Sequence, residues 1–262
     1  MMRSLWSAAT GMKGQELNID VISNNLSNVT TTGFKKNRVD FQDLMYQTLK
    51  EPGAPIATGN SYPVGIQLGH GVRPVAVQKL FSQGEFQQTE HPLDVVIEGK
   101  GFFQIQLPNG DTAYSRDGAW KLDANGHVVT SDGYTVLPGF VMPQNAIGIN
   151  ITPSGLLAVK LPNQVDLEIL GQIETADFIN PAGLKAIGRN LFIPTGSSGD
   201  PVVGIPGTQE LGEIAQGFIE MSNVKVVEEM VNMIVAQRSY EINSKAMQTA
   251  DEMMRLASNV KR

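Results

Sequence analysis

No cysteine occurs anywhere in the 262 residues, which excludes disulfide frameworks, thiolate-ligated zinc and thiol chemistry. Histidine is almost as scarce. His70, His91 and His127 lie far apart and share no metal-ligand spacing. Lys and Arg number 20 against 26 Asp and Glu, for a net charge of -6, and no basic stripe is present. Nucleic acid is therefore not an expected partner, because phosphate neutralisation needs clustered cations. No run of about 18 apolar residues exists to cross a bilayer. The start, Met1 to Met12, lacks the apolar core and small-residue cleavage site of a secretory signal. Both ends are also nearly free of proline: the 27 glycines and 14 prolines concentrate between residues 52 and 212. A turn-rich middle between two helical ends is the expectation.

The stretch from Ser222 to Arg262 organises the rest. Met233, Ala236, Tyr240, Asn243, Met247, Ala250, Met254 and Ala257 follow one another in steps of three and four, the a/d spacing of a coiled coil. Val235, Ser239, Ile242, Ala246, Thr249, Met253, Leu256 and Val260 make a second such series. At about 100° per residue the two stripes lie roughly 110° apart on the helix, so one partner cannot cover both. The remaining side is polar, from Gln237, Arg238 and Glu241 through Lys245 and Gln248 to Arg255, and reads as a solvated or channel-lining face.

A matching heptad series opens the chain: Leu5, Ala8, Met12, Gln15, Ile19, Ile22, Leu26 and Val29. Two such helices at opposite ends invite pairing with each other. Only one helix of comparable length is then left for a tail with two stripes, so further neighbours must come from other copies or other proteins. Gly11 and Gly14, with Ser7, Ala8 and Ala9, form a small-residue face that lets another backbone come close. The amide-rich stretch Asn24-Asn25-Leu26-Ser27-Asn28 reads either as a solvated helix end or as a device for inter-helix register, and Gly33 is suited to the left-handed conformation that closes a helix. Val39, Phe41, Leu44, Met45 and Leu49 suggest a further helical turn or two. Ser222 or Asn223 is the expected N-cap of the last helix, with Glu228 and Glu229 complementing its dipole.

Between these ends, residues 50–91 read as an extended Pro/Gly-rich linker with edge strands. Residues 92–180 read as an antiparallel β-domain: β-branched and aromatic runs alternate with the turn pairs Asn109-Gly110, Asn125-Gly126 and Asp132-Gly133. Phe102, Phe103, Ile105 and Trp120 belong to its core. Residues 181–221 read as a loop-rich return. The predicted fold class is thus α+β, with residues 1–49 and 222–262 as the two halves of a helical coiled-coil domain. No catalytic, cofactor or metal residue is predicted. Gly69-His70-Gly71 and Gly99-Lys100-Gly101 lack the context of a phosphate loop, Gly196-Ser197-Ser198-Gly199 lacks the spacing of a nucleophile elbow, and Asp94, Asp111 and Asp117 show no pattern beyond turn formers.

Ser4-Leu5-Trp6, Asp20-Val21-Ile22, the Asn24 to Asn28 stretch and Thr32-Gly33-Phe34-Lys35 resemble the amino-terminal signature of the bacterial flagellar rod and hook axial proteins. Ser222-Asn223-Val224, Val227-Glu228-Glu229-Met230, Gln237-Arg238-Ser239-Tyr240-Glu241 and the segment from Asn243 to Asp251 resemble its carboxy-terminal signature. Asn180-Pro181-Ala182-Gly183-Leu184 and Gly188-Arg189-Asn190-Leu191 match in the middle, so the resemblance covers nearly the whole chain, and it is strongest to the distal-rod branch. Ser27 and Ser239 stand where the family often has Ala, and Lys225 where it often has Asn.

The resemblance implies a structural axial subunit, not an enzyme, that polymerises with itself into the hollow, rigid rod of the basal body and transmits torque to the hook. It also implies neighbouring rod proteins, hook protein and bushing ring proteins as partners. Export by the flagellar type III apparatus without a cleaved signal and a place in the rod crossing the periplasm follow from it too. A segment within 50–73 resembles the element that braces neighbouring subunits. The residues expected to carry subunit packing are Leu5, Met12, Ile19, Ile22 and Leu26, then Met233, Tyr240, Met247 and Met254, then Val235, Ile242 and Leu256; Asn24, Asn25, Asn28, Gly33 and Phe34 carry the signature. A proximal rod or hook protein is the alternative within the class, and a secreted carbohydrate-binding β-domain oligomerised by its helices is the alternative outside it.

Overall fold

The computed structural model describes residues 2–53, 63–162, 167–208 and 210–259. Val165, expected in a strand, Val260, at the end of the second stripe, and part of the Pro/Gly-rich segment lie outside them. The chain divides into two compact units. The first combines residues 1–27, 37–79 and 225–262, and the second residues 28–36 and 80–224. The class is α+β.

In the first unit, α1 (Met2–Ser27) and α2 (Val226–Asn259) lie side by side. Asn25 meets Glu229 and Gly11 meets Asn243, so the helices run antiparallel. A Cβ on Gly11 would sit 2.9 Å from the Asn243 amide nitrogen, which shows what the small-residue face is for. Gly14 serves a different neighbour, since a Cβ there would meet Phe41 at 3.2 Å. Four strands complete the unit: β1 (Asn37–Asp43), β2 (Tyr46–Lys50), β3 (Ile66–Gly69) and β4 (Val72–Lys79). β1 pairs with β4 and β2 with β3, both antiparallel.

Residues 39–43 and 46–49, expected to add helical turns, are therefore strand, with Leu44 and Met45 in the connection between them. A bulge between Asp40 and Phe41 interrupts the β1 register and breaks the two-residue alternation by which a strand is recognised. The start of α2 also differs from expectation. Ser222 accepts from the Val224 amide at 3.3 Å, and Asn223 is engaged by Lys36, Leu80 and Ser82. With both side chains occupied, the helix begins later, and the first intrahelical acceptor is the Lys225 carbonyl, bonded by the Glu229 amide at 3.0 Å.

The second unit holds β5 (Phe86–Gln88), β6 (Val95–Glu98), β7 (Phe102–Gln106), β8 (Thr112–Ser115), β9 (Lys121–Leu122), β10 (Val128–Val129), β11 (Thr135–Val136), β12 (Gly148–Ile151), β13 (Leu156–Lys160), β14 (Glu168–Gln172), β15 (Thr175–Asp177), β16 (Lys185–Gly188), β17 (Leu191–Ile193), β18 (Val202–Gly204), β19 (Glu213–Gln216) and β20 (Phe218–Glu220). Every pairing is antiparallel. Among the described residues the main sheet runs β16-β17-β8-β7-β11-β10-β9, with β15 joining β7 to β18. The Gly of each predicted turn pair has positive φ, at 90° for Gly110 and 84° for Gly126 and Gly133. Residues 183–212, which read as loop, supply three strands to this sheet. Their hairpin turn, Arg189-Asn190, has φ of 55° and 58° without a glycine at either position.

β7 shows why the sheet is buried on both sides. Phe103 packs with Val95, Ile97 and Trp120 in one core cluster, while the adjacent Phe102 packs with Tyr114, Phe178 and Phe192 in another, as strand alternation requires. Phe102, Phe103, Ile105 and Trp120 are each at most 2% exposed, so all four are core.

This unit also encloses an ionic cluster. Lys35 Nζ lies 2.5 Å from Glu220 Oε1 and donates to the Ser82 carbonyl at 2.8 Å; Glu220 Oε1 also accepts from the Gly84 amide at 2.9 Å. Arg116 Nη1 stands 3.6 Å from Glu220 Oε2, and the guanidinium donates to the carbonyls of Ile97 and Gly99. Burial lowers the Lys35 pKa, against the opposing pull of Glu220. Gly33 sits beside this cluster with φ of 67°, six residues past the end of α1. It therefore does not cap the helix; its amide donates to the Glu220 carbonyl at 2.8 Å, and a Cβ would press within 2.8 Å of the Asp117 amide nitrogen.

Candidate functional site

The two stripes of α2 have different fates. On the first, Ala236 and Ala250 are 1% and 2% exposed, and Met233, Asn243, Met247 and Met254 are half-buried. Tyr240 lies at the margin, and Ala257 is exposed. The α1 series answers it: Ala8 and Ile22 are buried, and Leu5, Met12, Gln15, Ile19 and Leu26 are half-buried. Val29 falls beyond the helix.

The second stripe is left open. Val235 is 59% exposed, Ile242 68%, Met253 47% and Leu256 65%, with Ala246 and Thr249 exposed between them. At the start of α2 the open apolar surface widens to include Val227, Met230, Val231 and Ile234. None of these four belongs to either heptad series, although Val227 and Met230 are part of the carboxy-terminal signature. The signal was present in Val226-Val227, Met230-Val231 and Met233-Ile234-Val235, which give the first turns of α2 an apolar arc too wide for one partner helix, with Glu228, Glu229 and Asn232 on the remaining side. Together the second stripe and those four form a row of large exposed apolar side chains along α2.

Asn25 supplies the polar anchor of the helix pair. It is 1% exposed; its amide donates to the Asn37 carbonyl at 2.8 Å and to Glu229 Oε2 at 3.0 Å, and its oxygen accepts from the Asn37 amide at 2.8 Å. Glu229, in the first turn of α2, is itself 1% exposed. Of the other signature residues, Asn24 accepts from Asn37 at the exposed surface, Asn28 accepts from Thr31 through side chain and carbonyl, and the Phe34 amide donates to the Thr31 carbonyl. They make the bend after α1, whereas Asn25 joins the two helices. Asn25→Ala removes its hydrogen bonds to the Asn37 backbone and to Glu229 and should cost about 1–3 kcal/mol. A thermal melt followed by helical circular dichroism measures this, and a melt identical to the parent's would refute it.

For chemistry the structure offers little. Among the described residues no group of three or more His, Asp or Glu is placed to hold a metal ion, and no helix is long and apolar enough to cross a membrane. A cleft of 590 Å³ in the second unit has a mixed border that includes Glu90, Leu122, Asp123, Gln144 and Ile147. Asp117, in the same unit, has its pKa raised by burial, opposed by hydrogen bonds from the Ala119 amide, Thr32 and Asn190. It serves as a bracket for the loop that carries Thr32.

Comparison with known proteins agrees with this geometry. Residues 5–35 match the family described as flagella basal body rod protein, 96–159 the flagellar hook protein FlgE/F/G D1 domain, and 215–260 the flagellar basal body rod FlgEFG protein C-terminal family. The chain is 53% identical to the flagellar basal-body rod protein FlgG of Borreliella burgdorferi, over all of both chains. It is 46% identical to that of Caulobacter vibrioides, over 99% of this chain and all of the relative. Against that of Bacillus subtilis it is 38% identical, over all of both chains. With terminal signatures, middle domain and full length all accounted for, the chain belongs to the flagellar basal-body rod protein family.

Proposed function

We propose that this chain is a structural axial subunit of the distal rod of the bacterial flagellar basal body and that it self-assembles through its terminal helices into a hollow, rigid shaft. The observation that carries the reading is the unequal burial of α2: one stripe is covered by α1, while Val235, Ile242, Met253 and Leu256 remain open. A surface of this kind is completed by other subunits. In the polymer the paired helices form a coiled-coil layer with the heptad positions at its seams, residues 1–49 and 222–262 being its two halves. Neighbouring rod proteins, hook protein and bushing rings are the further partners, torque transmission is the task, and delivery is by the flagellar export apparatus. The role is architectural, not enzymatic.

Purified protein, concentrated or seeded, should grow into straight rods visible by electron microscopy. Deleting the chain from Met253 onward should abolish growth while the second unit keeps its fold, read from the fluorescence of the buried Trp120. Oligomers of fixed size at every concentration would contradict the reading, as would growth of the truncated chain.

A further inference from the structure

The open stripe contains one chemically reactive side chain. Met253 lies between Thr249 and Leu256 and is 47% exposed, whereas Met12, Met233, Met247 and Met254 are half-buried in the helix pair. Peroxide reaches a solvent-accessible thioether before those half-buried ones. We propose that Met253 is an oxidation site that controls the assembly competence of the free subunit: its sulfoxide blocks the stripe, and its reduction restores it. The inference rests on the assembly role proposed above.

The chemistry is a two-electron oxygen transfer from hydrogen peroxide. The Met253 sulfur lone pair attacks one peroxide oxygen, the O–O bond breaks, an S=O bond forms, and water leaves after proton transfer; sulfur is oxidised and peroxide reduced. The product places a strong acceptor dipole in the middle of an apolar row. In the free subunit that dipole is solvated at little cost, because α1 does not cover this side of α2. Against a second copy it must be desolvated without an assigned donor, which weakens docking by about ten- to a hundredfold. The modification thus acts on assembly and spares the fold.

The test treats dilute full-length protein with graded hydrogen peroxide, quenches it, and maps sulfoxides in the tryptic peptide 246–255, where fragment ions separate Met247, Met253 and Met254. Seeded growth is then followed by light scattering. Met253 should oxidise before Met247 and Met254, growth should slow at least about tenfold in step with the Met253 sulfoxide, and methionine sulfoxide reductase should restore it. Met253→Leu should grow like the parent untreated and keep most of its growth rate after the same dose. Both proteins carry Met230→Leu, because Met230, 50% exposed, lies on the same open apolar surface, and Met45, 85% exposed, remains in both, so the difference isolates Met253. Parent protein fully oxidised at Met253 yet growing within about twofold of the untreated rate would overturn the proposal, as would equal slowing of Met253→Leu. Untreated parent that never grows would overturn the assembly role itself and this inference with it.

Discussion

Ile242→Asp is expected to leave the folded subunit as stable as its parent and to stop rod growth. Ile242 is 68% exposed and sits at the centre of the open stripe, so an aspartate there is solvated in the monomer, and surface changes of this kind stay within about 0.5 kcal/mol. In the assembled state the same carboxylate is buried against an apolar neighbour without a partner, at a cost of about 3–5 kcal/mol per interface. The critical concentration for growth should then rise by about two to four orders of magnitude. Met247→Asp provides the contrast. Met247 is half-buried on the stripe that α1 covers, so its replacement should lower helix stability as well as assembly. Sedimentation of a concentration series gives the critical concentration, and a thermal melt gives the fold. Growth of Ile242→Asp at the parental concentration would refute the assignment of the stripe, and so would a collapse of its melting temperature.

The second large effect is expected in the β-rich unit. Lys35→Met removes the cation from a site where Lys35 and Glu220 side chains are 0% and 1% exposed. It leaves the Glu220 carboxylate facing only Arg116, whose Nη1 is 3.6 Å from Oε2. Removing one member of a buried pair costs about 3–5 kcal/mol, because the survivor keeps its desolvation penalty and loses its compensation. Urea unfolding followed by the fluorescence of Trp120, which is 1% exposed, reads this directly when Trp6, 63% exposed, is replaced by Phe in both proteins. Adding Glu220→Gln should recover part of the loss, since the amide oxygen still accepts from the Gly84 amide that now bonds Oε1 at 2.9 Å.

A pH signature accompanies the substitution. The folded pKa of Lys35 lies below its ordinary 10.5, so between the two values the unfolded chain binds more protons. The lysine's contribution is complete above about 10.5 and declines as pH falls through the lowered folded value. Lys35→Met should lack that alkaline rise relative to the parent. An unchanged urea midpoint at neutral pH would remove the cluster from any account of stability.

Much of this was legible in the residues because it is periodic. Steps of three and four placed Leu5, Met12, Ile19, Met233 and Met247 on helix faces, and the 110° offset foretold that one row on α2 would lack an internal partner. Asn-Gly and Asp-Gly pairs marked hairpin corners because those turns need positive φ. What escaped was non-periodic or distant. The bulge after Asp40 hid β1, and strands of three or four residues such as β17 and β18 are too short to establish an alternation. Asn25 finds Glu229 across 204 residues, a distance no local pattern spans. The wide apolar opening of α2 does not show as a heptad stripe, because Val227, Met230, Val231 and Ile234 belong to neither series.

The helical unit is stitched from the first segment of the chain, a second near it, and the very last. Protein synthesis proceeds from the amino end, so α1 waits, unpartnered, until nearly every other residue has been made. A lone helix of its 26 residues, with glycine at two interior positions, is marginal in water. The helix pair therefore cannot close until α2 has been made, and a nascent chain that has not reached it leaves α1 without its partner helix.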